Sequence, residues 1–231
     1  MKYKILNVKK IKLPCIIINY LFNPKTNQME EQATTPQNFT FDIVHQESYS
    51  RGELLLRSFF GFFYIMIPHM FVLFFMYLAA AVLHFIAWWA VLFTGKYPKN
   101  FFEFQLSLVR WGTRLNARIL NLADGYPAFG TSAEDNKIIV NLVYPEKLSI
   151  GLLLARFFFG WIYVGIPHFF CLAFRVIATY FVVFAAWWVV LITGKYPAGM
   201  HSFVVGTFRW VTRVSLYLSF MTDEYPPFTG K

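Results

Sequence analysis

The stretch WWAVLFTGKYP at residues 88–98 returns almost unchanged as WWVVLITGKYP at residues 187–197. Sliding the sequence on itself by 99 residues aligns 57–129 with 156–228 without a gap, and 32 of these 73 positions are identical. Identity on this scale indicates a tandem duplication of one unit of about 90 residues. We therefore divide the chain into a basic and polar N-terminal segment with candidate strands (1–37), unit 1 (38–130) and unit 2 (131–231).

The composition argues against a soluble protein. Hydrophobic residues make up 57% of the chain, including 28 Phe, and charged residues only 14%, against roughly 45–50% and 25% in soluble domains. A soluble fold of this size has too little interior to bury so much apolar surface, so we expect an integral membrane protein. The net charge of +9 is spread along the chain and flanks apolar runs, which suits anionic lipid head groups better than nucleic acid.

Unit 1 predicts a short strand, a proline-broken apolar helix and an amphipathic helix, and unit 2 repeats this order 99 residues later. Residues 38–45 alternate between apolar and polar, as in a half-buried strand. Residues 54–67 are apolar and precede Pro68, where a helix begins or kinks because proline has no N–H. The 26 residues from 68 to 93 form about 39 Å of helix. This length crosses the roughly 30 Å hydrocarbon core with some tilt.

The repeated TGKYP motif is expected to end each apolar helix. Gly95 and Gly194 stand where a helix C-cap favours glycine, and lysine and proline follow. The first glycine and the Ser/Thr of a phosphate-binding Walker loop are missing, so we do not interpret the motif as a nucleotide site. The surrounding aromatic and basic residues predict interfacial anchors at head-group depth: Trp88, Trp89, Lys96, Tyr97, Trp187, Trp188, Lys195 and Tyr196.

The amphipathic helix at 101–122 carries an arginine stripe. Arg110 and Arg114 fall on one face, with Arg118 at its edge. Inserting arginine at the bilayer centre costs roughly 2.5–3.5 kcal/mol, so an interfacial or re-entrant helix is favoured over a lipid-exposed crossing. A crossing with the stripe facing protein is the alternative. The number of crossings per unit stays open, and the distribution of basic residues slightly favours units on the same side with a cytoplasmic N-terminus.

Two interpretations of the Arg-Trp-x-x-Arg motif are equally supported. Guanidinium groups and indoles suit phospholipid phosphates at the membrane interface. Alternatively, the arginines form internal ion pairs with the aspartate that follows each helix. The residues concerned are Arg110, Trp111, Arg114, Asp124, Arg209, Trp210, Arg213 and Asp223.

Three polar residues lie within the apolar helices and are candidates for intramembrane contacts. His69 and His168 each follow the helix proline, and we interpret them as capping or interface-anchored rather than as metal ligands, because no second ligand lies at helical spacing. Arg175 lies inside the second apolar helix, where it would bind a carboxylate of this chain or of a partner, or snorkel to the interface. No arrangement of nucleophile, base or metal ligands is present in the sequence, so we predict no enzyme, no metal and no cofactor.

The motifs resemble a prokaryotic family known as domain of unknown function 4389. The resemblance rests on YPEKL, LLLAR, IPH, AWW, TGKYP, RW and TDEYPPF, which unit 2 carries between residues 144 and 228. Unit 1 is similar from residue 57 onward, but has HQESY in place of the YPEK motif and ADGYPAF in place of TDEYPPF. The resemblance implies a prokaryotic integral membrane protein and implies no activity. We expect a multi-pass protein of the prokaryotic cell (inner) membrane.

From these features we expect a mainly α-helical, non-catalytic membrane protein. It would be a scaffold or accessory subunit of a larger membrane complex, with phospholipids and either partner subunits or further copies of itself as its partners. The repeated aromatic residues and the glycines at 61 and 160 favour helix packing over chemistry. The alternative is a transporter or channel with a pathway between the two pseudo-symmetric units.

Overall fold

The computed structural model describes residues 38–231, and the predictions for residues 1–37 lie outside them. The fold is mainly helical, and each unit contributes one strand and three α-helices. Unit 1 contains β1 (Phe39–Ile43), α1 (Arg51–Gly61), α2 (Ile67–Thr94) and α3 (Lys99–Ile119). Unit 2 contains β2 (Ile138–Leu142), α4 (Ile150–Gly160), α5 (Ile166–Thr193) and α6 (Ala198–Leu218).

Short π-helical turns join the first two helices of each unit. The turn Phe62–Met66 links α1 to α2, and the turn Trp161–Gly165 links α4 to α5. Each unit therefore contains one continuous helix of 44 residues, Arg51–Thr94 in unit 1 and Ile150–Thr193 in unit 2. We call these two helices the long helices. Both are long and apolar enough to cross a membrane.

As predicted, an α-helix begins at the proline, because α2 starts at Ile67 with Pro68 in its first turn. The helical chain is not interrupted there, however, because the π-turn joins α1 to α2. Pro68 has no N–H, so the carbonyl of Tyr64, four residues earlier, loses its α-helical donor. The side-chain hydroxyl of Tyr126 donates to that carbonyl at 3.3 Å, and the π-turn absorbs the change of register. Unit 2 repeats the arrangement with Pro167, Tyr163 and Tyr225, at 3.2 Å.

The predicted glycine caps are confirmed. Gly95 and Gly194 end the long helices with φ of 68° and 70°, a left-handed conformation that glycine adopts without a steric penalty. At the other end, the hydroxyls of Ser50 and Ser149 accept from the N–H groups three residues later. Each long helix therefore has a defined start and a defined stop.

The two strands form an antiparallel pair that is symmetric about its centre. Phe41 pairs with Val140, and the flanking pairs run from Phe39 with Leu142 to Ile43 with Ile138. The central partners are 99 residues apart, which is the offset of the repeat. A pseudo-two-fold axis therefore passes through this pair and relates unit 1 to unit 2.

Contacts between the units occur in equivalent pairs, as this axis requires. In the first pair of backbone hydrogen bonds, the Gly95 carbonyl accepts from the N–H of Leu148 at 2.7 Å and the Gly194 carbonyl from that of Tyr49 at 2.8 Å. In the second, Nε of Arg110 donates to the Val140 carbonyl and Nε of Arg209 to the Phe41 carbonyl. Each unit thus supplies hydrogen-bond donors to backbone carbonyls of the other. The hydrophobic core lies between the inner face of the strands and the helices.

The long helices carry most of the exposed apolar surface. Their exposed side chains include Phe71, Phe93, Trp161, Phe169 and Phe181, each at least 66% accessible. Within the most apolar part of each long helix, only 17% of residues are buried. These helices are therefore apolar on the outside as well as on the inside.

Candidate arginine-lined pocket

The arginine stripe of α3 forms one wall of a pocket of about 840 Å³. The other walls come from the connection between α3 and β2 and from β2 itself. The lining residues are Arg110, Arg114, Arg118, Tyr126, Ala128, Thr131, Ser132, Ala133, Glu134, Asp135, Asn136, Ile138 and Val140. Three guanidinium groups and two carboxylates leave this lining with a net charge of +1.

Arg110 joins α3 to the edge of the strand pair. Its Nε donates to the carbonyl of Val140 at 2.8 Å, and its Nη2 to the side-chain oxygen of Asn141 at 3.1 Å. The carboxylate of Glu103 lies 4.0 Å from Nη1 and is half exposed, so this ion pair adds little. Arg110 thus satisfies a backbone acceptor that the two-stranded ladder leaves free.

Arg114 holds the connection that follows α3. Its guanidinium donates to three carbonyls, those of Ala128 at 3.2 Å, Gly130 at 2.6 Å and Ala133 at 2.8 Å. Arg114 is 3% exposed, and no carboxylate of residues 38–231 lies within ion-pair distance. Burial lowers the pKa of Arg114, an effect that the charge of Asp135 partly offsets. This arginine therefore shapes the pocket without losing its positive charge to a partner.

Arg118 is the buried cation with unused donors. Its Nη2 binds Asp135 at 2.7 Å, and the two side chains are 5% and 6% exposed. The Nε and Nη1 atoms of Arg118 have no hydrogen-bond partner among the described residues. Burial lowers the pKa of Arg118, and Asp135 opposes this shift. Buried donors without acceptors are costly, so an oxygen acceptor brought to Nε or Nη1 of Arg118 would be stabilising.

Unit 2 lacks this third arginine. Arg209 donates to the carbonyls of Phe41 at 2.9 Å and Gly230 at 2.8 Å, and Arg213 donates to that of Lys231 at 2.5 Å. Tyr217 stands where unit 1 has Arg118, and its hydroxyl lies 3.2 Å from that of Tyr163. The third arginine is therefore a feature of unit 1 that the duplication does not repeat, and the pocket forms between α3 of unit 1 and the start of unit 2.

The two aspartates bind different arginines from those expected. Asp124 binds Nη2 of Arg57 at 2.8 Å, and Asp223 binds Nη2 of Arg156 at 2.5 Å. The second carboxylate oxygen of Asp124 accepts from the backbone N–H of Ser50, the N-cap of α1, and that of Asp223 from the backbone N–H of Ser149, the N-cap of α4. The aspartates therefore tie the end of α3 or α6 to the start of the long helix. The sequence analysis did not predict these ion pairs, although the arginine and the aspartate of each pair are identical in the two copies.

The tryptophans of the Arg-Trp-x-x-Arg motif are hydrogen-bonded inside the protein. Nε1 of Trp111 donates to Nδ1 of His69 at 2.8 Å, and Nε1 of Trp210 to Nδ1 of His168 at 2.9 Å. Indole is only a donor, so Nδ1 carries no proton and each imidazole is neutral with its proton on Nε2. Both histidines are fully buried. Within the described part of the chain, no group of three metal-ligating side chains occurs.

The sequence matches the family described as domain of unknown function (DUF4389) over residues 54–130 and 155–230. The chain belongs to this family. The two matches coincide with the helical parts of the two units, so the duplication is confirmed as two tandem DUF4389 copies. No curated protein and no solved structure matches the sequence.

Arg175 lies in the second DUF4389 copy and binds the neighbouring helix α6. Its Nε donates to the hydroxyl of Thr207 at 3.0 Å, and its Nη2 to the carbonyl of Phe203 at 3.3 Å. The guanidinium also lies 4.5 Å from the centre of the Phe203 ring. Among residues 38–231 it forms no ion pair, so a hydroxyl, a carbonyl and an aromatic ring take the place of the expected carboxylate.

The predicted interfacial anchors of each DUF4389 copy separate into two groups. Trp89 and Trp188 are 42% and 48% exposed, and Lys96 and Lys195 are also exposed. Trp88 packs on Phe157, and Trp187 donates to the hydroxyl of Ser58. Tyr97 and Tyr196 are buried, because the opposite unit covers both turns. The tyrosines are therefore core residues and not surface anchors.

Proposed function

We propose that this DUF4389 protein is a non-catalytic integral protein of a prokaryotic cell membrane that binds anionic phospholipid head groups. It acts as a scaffold or accessory subunit of a larger membrane complex. The observation that carries the head-group proposal is the buried guanidinium of Arg118, whose Nε and Nη1 lack acceptors beside a pocket of net positive charge. The embedding is supported by the apolar surface of the two long helices.

The chemistry of the pocket fits a phosphate group. A phosphodiester brings oxygen acceptors and one negative charge, and guanidinium binds such oxygens through charge-assisted hydrogen bonds. Thr131, Ser132 and Asn136 line the same pocket and add polar groups beside Arg118. Arg114 already binds three carbonyls of the connection after α3, so this side of the pocket would be ordered before a head group binds.

Lipid retention tests the head-group proposal. The test variant combines Arg118→Tyr, which installs the residue that unit 2 has at this position, with Asp135→Asn, which avoids an unpaired buried carboxylate. We expect it to lose most of the anionic phospholipid that the wild type retains in mild detergent, measured by native mass spectrometry. The control is Lys96→Ala, which removes one exposed positive charge outside the pocket, whereas the test variant leaves the net charge of the protein unchanged. Equal retention by the test variant and this control would contradict the proposal.

The scaffold part of the proposal has its own test. Affinity purification from solubilised membranes in mild detergent should retain partner proteins in fixed stoichiometry. Aromatic side chains are exposed along both long helices, and a partner helix would pack on part of this surface. A clean monomer or dimer without further proteins would contradict a role as an accessory subunit.

A further inference from the structure

The two ends of each long helix lie at the same level along the pseudo-two-fold axis. Gly95, at the end of one long helix, is hydrogen-bonded to Leu148, just before the start of the other, and Gly194 is bonded to Tyr49 in the same way. The pseudo-two-fold axis relates Gly95 to Gly194 and Tyr49 to Leu148, so the two members of each pair lie at the same position along the axis. The hydrogen bonds join Gly95 to Leu148 and Gly194 to Tyr49. All four residues therefore lie at about the same position along the axis.

The axis runs perpendicular to the strand pair. This follows from the antiparallel register, which is symmetric about Phe41 and Val140. The inner face of the strands is buried, and the outer face exposes three polar side chains, Thr40, Asp42 and Asn141, beside Ile139. The axis therefore leads from an exposed polar face, through the strands, into the apolar core between the helices.

The orientation in a bilayer follows from these polar side chains. If the axis lay in the membrane plane, the two units would point to opposite faces and the strand pair would sit at the bilayer centre. Asp42 and Asn141 would then be exposed to hydrocarbon, at a large cost in free energy. With the axis along the membrane normal, the strand pair faces water and both units are immersed equally.

A helix that crosses a bilayer ends about 30 Å from the level at which it began. The long helices begin and end at one level, so they return to the face that they enter. Exposed apolar side chains surround the two π-turns and include Phe60, Phe63, Trp161 and Ile162. Exposed charge is found at the ends, at Arg51 and Lys96.

We propose that both long helices are re-entrant: they dip into the membrane from one face and leave by the same face, without crossing. The hydrocarbon of the bilayer covers their aromatic surface, and the strand pair, both TGKYP turns and the arginine pocket lie in one aqueous compartment. This inference rests on the membrane embedding proposed above. It places the open pocket beside the head groups of a single leaflet.

Side-specific cysteine labelling tests this topology. In full-length protein with Cys15→Ser and Cys171→Ser, single cysteines are introduced as Thr40→Cys on the strand pair, and as Lys96→Cys and Lys195→Cys at the helix ends. A membrane-impermeant maleimide is applied to intact spheroplasts and to inside-out vesicles. We expect all three positions to label in one preparation only, and the same one.

The outcomes separate the topology from the embedding. Labelling of position 96 or 195 from the face opposite to position 40 would overturn the re-entrant topology. A fourth variant, Phe63→Cys at the π-turn, should resist the reagent from both faces, and labelling from the face opposite to position 40 would also overturn it. Alkaline carbonate extraction reports on embedding alone: release of the wild type would contradict the proposed function, whereas a retained protein with split labelling contradicts only the topology.

Discussion

Tyr126 and Tyr64, 62 residues apart in the sequence, are joined by a hydrogen bond of 3.3 Å from the side-chain hydroxyl of the first to the backbone carbonyl of the second. This carbonyl is the acceptor that Pro68 leaves without an α-helical donor. The tyrosine of the repeated Tyr-Pro motif after α3 thus compensates for the proline of the repeated Ile-Pro-His motif.

We predict that Tyr126→Phe lowers the free energy of unfolding by about 0.5–1.5 kcal/mol, the usual value of one hydrogen bond. Pro68→Ala supplies a backbone N–H for the same carbonyl. The loss caused by Tyr126→Phe should therefore be smaller in the Pro68→Ala background. A double-mutant cycle in detergent measures this coupling, and equal losses in both backgrounds would show that the hydroxyl does not serve the proline.

Asp124→Asn should be severely destabilising. It removes the more buried of the two carboxylates that bind the guanidinium of Arg57, whose side chain is 3% exposed; Glu53 stays at 2.9 Å but is 41% exposed. Breaking one side of a buried ion pair costs about 3–5 kcal/mol, and the remaining contact with Glu53 keeps the loss at the lower end of this range. The matched control is Asp42→Asn, because Asp42 is 53% exposed and lies 3.6 Å from Arg209. The control should cost less than about 1 kcal/mol, and similar losses of thermal stability in the two variants would contradict a structural role for the buried pair.

Trp111→Phe keeps an aromatic ring in the core but removes the donor to His69. The buried Nδ1 of His69 would then lack a partner, at a cost of about 1–3 kcal/mol. Trp89→Phe makes the same chemical change at a residue that is 42% exposed, and there we expect little effect. Thermal unfolding of both variants in the same detergent measures the difference, which combines the lost hydrogen bond with the lost buried ring area, and equal losses would contradict a structural role for Trp111.

Stability should fall below neutral pH because of His201. Burial, reinforced by the charge of His45, lowers the pKa of His201 from its ordinary value of 6.5. The rings of the two histidines are 4.9 Å apart. Above pH 6.5 both the folded and the unfolded state hold the neutral ring, so stability is complete. As the pH falls below 6.5, the unfolded state binds a proton that the folded state resists, and stability is lost by at most about 1.4 kcal/mol per pH unit.

The repeat supplies the control for this pH dependence. Unit 1 has Phe102 at the position of His201, so His201→Phe installs a side chain that the fold already accepts. The variant should show a flatter melting temperature between pH 7 and pH 5 than the wild type. An unchanged slope would assign the pH dependence to other groups.

Local features of the fold were predictable from the sequence. The alternating segments became β1 and β2 within a few residues of the predicted bounds, and Gly95 and Gly194 cap the long helices. These features depend on periodicity and on backbone preferences, which neighbouring residues determine. The division into two homologous units followed from the identities between the copies.

Contacts between distant residues were not predictable in the same way. The arginine stripe was recognised, but its acceptors are the carbonyls of Val140 and of the connection after α3, and any residue can supply a carbonyl. The partner of Asp124 is Arg57, 67 residues away, although Arg110 and Arg114 are closer in the sequence. The continuous helix through Pro68 likewise depends on a hydroxyl from a distant turn.

The symmetric strand pair has a consequence for the history of the fold. Phe41 faces Val140, its own equivalent, so the contact between the repeats is isologous and uses the same surface on both sides. A shorter chain with one repeat would make every one of these contacts with an identical second molecule. Two copies of a single-repeat chain could therefore form the same fold as a homodimer, and gene fusion would have turned that intermolecular interface into an internal one. Once fused, the copies were free to diverge, and the third arginine of unit 1 is one such divergence.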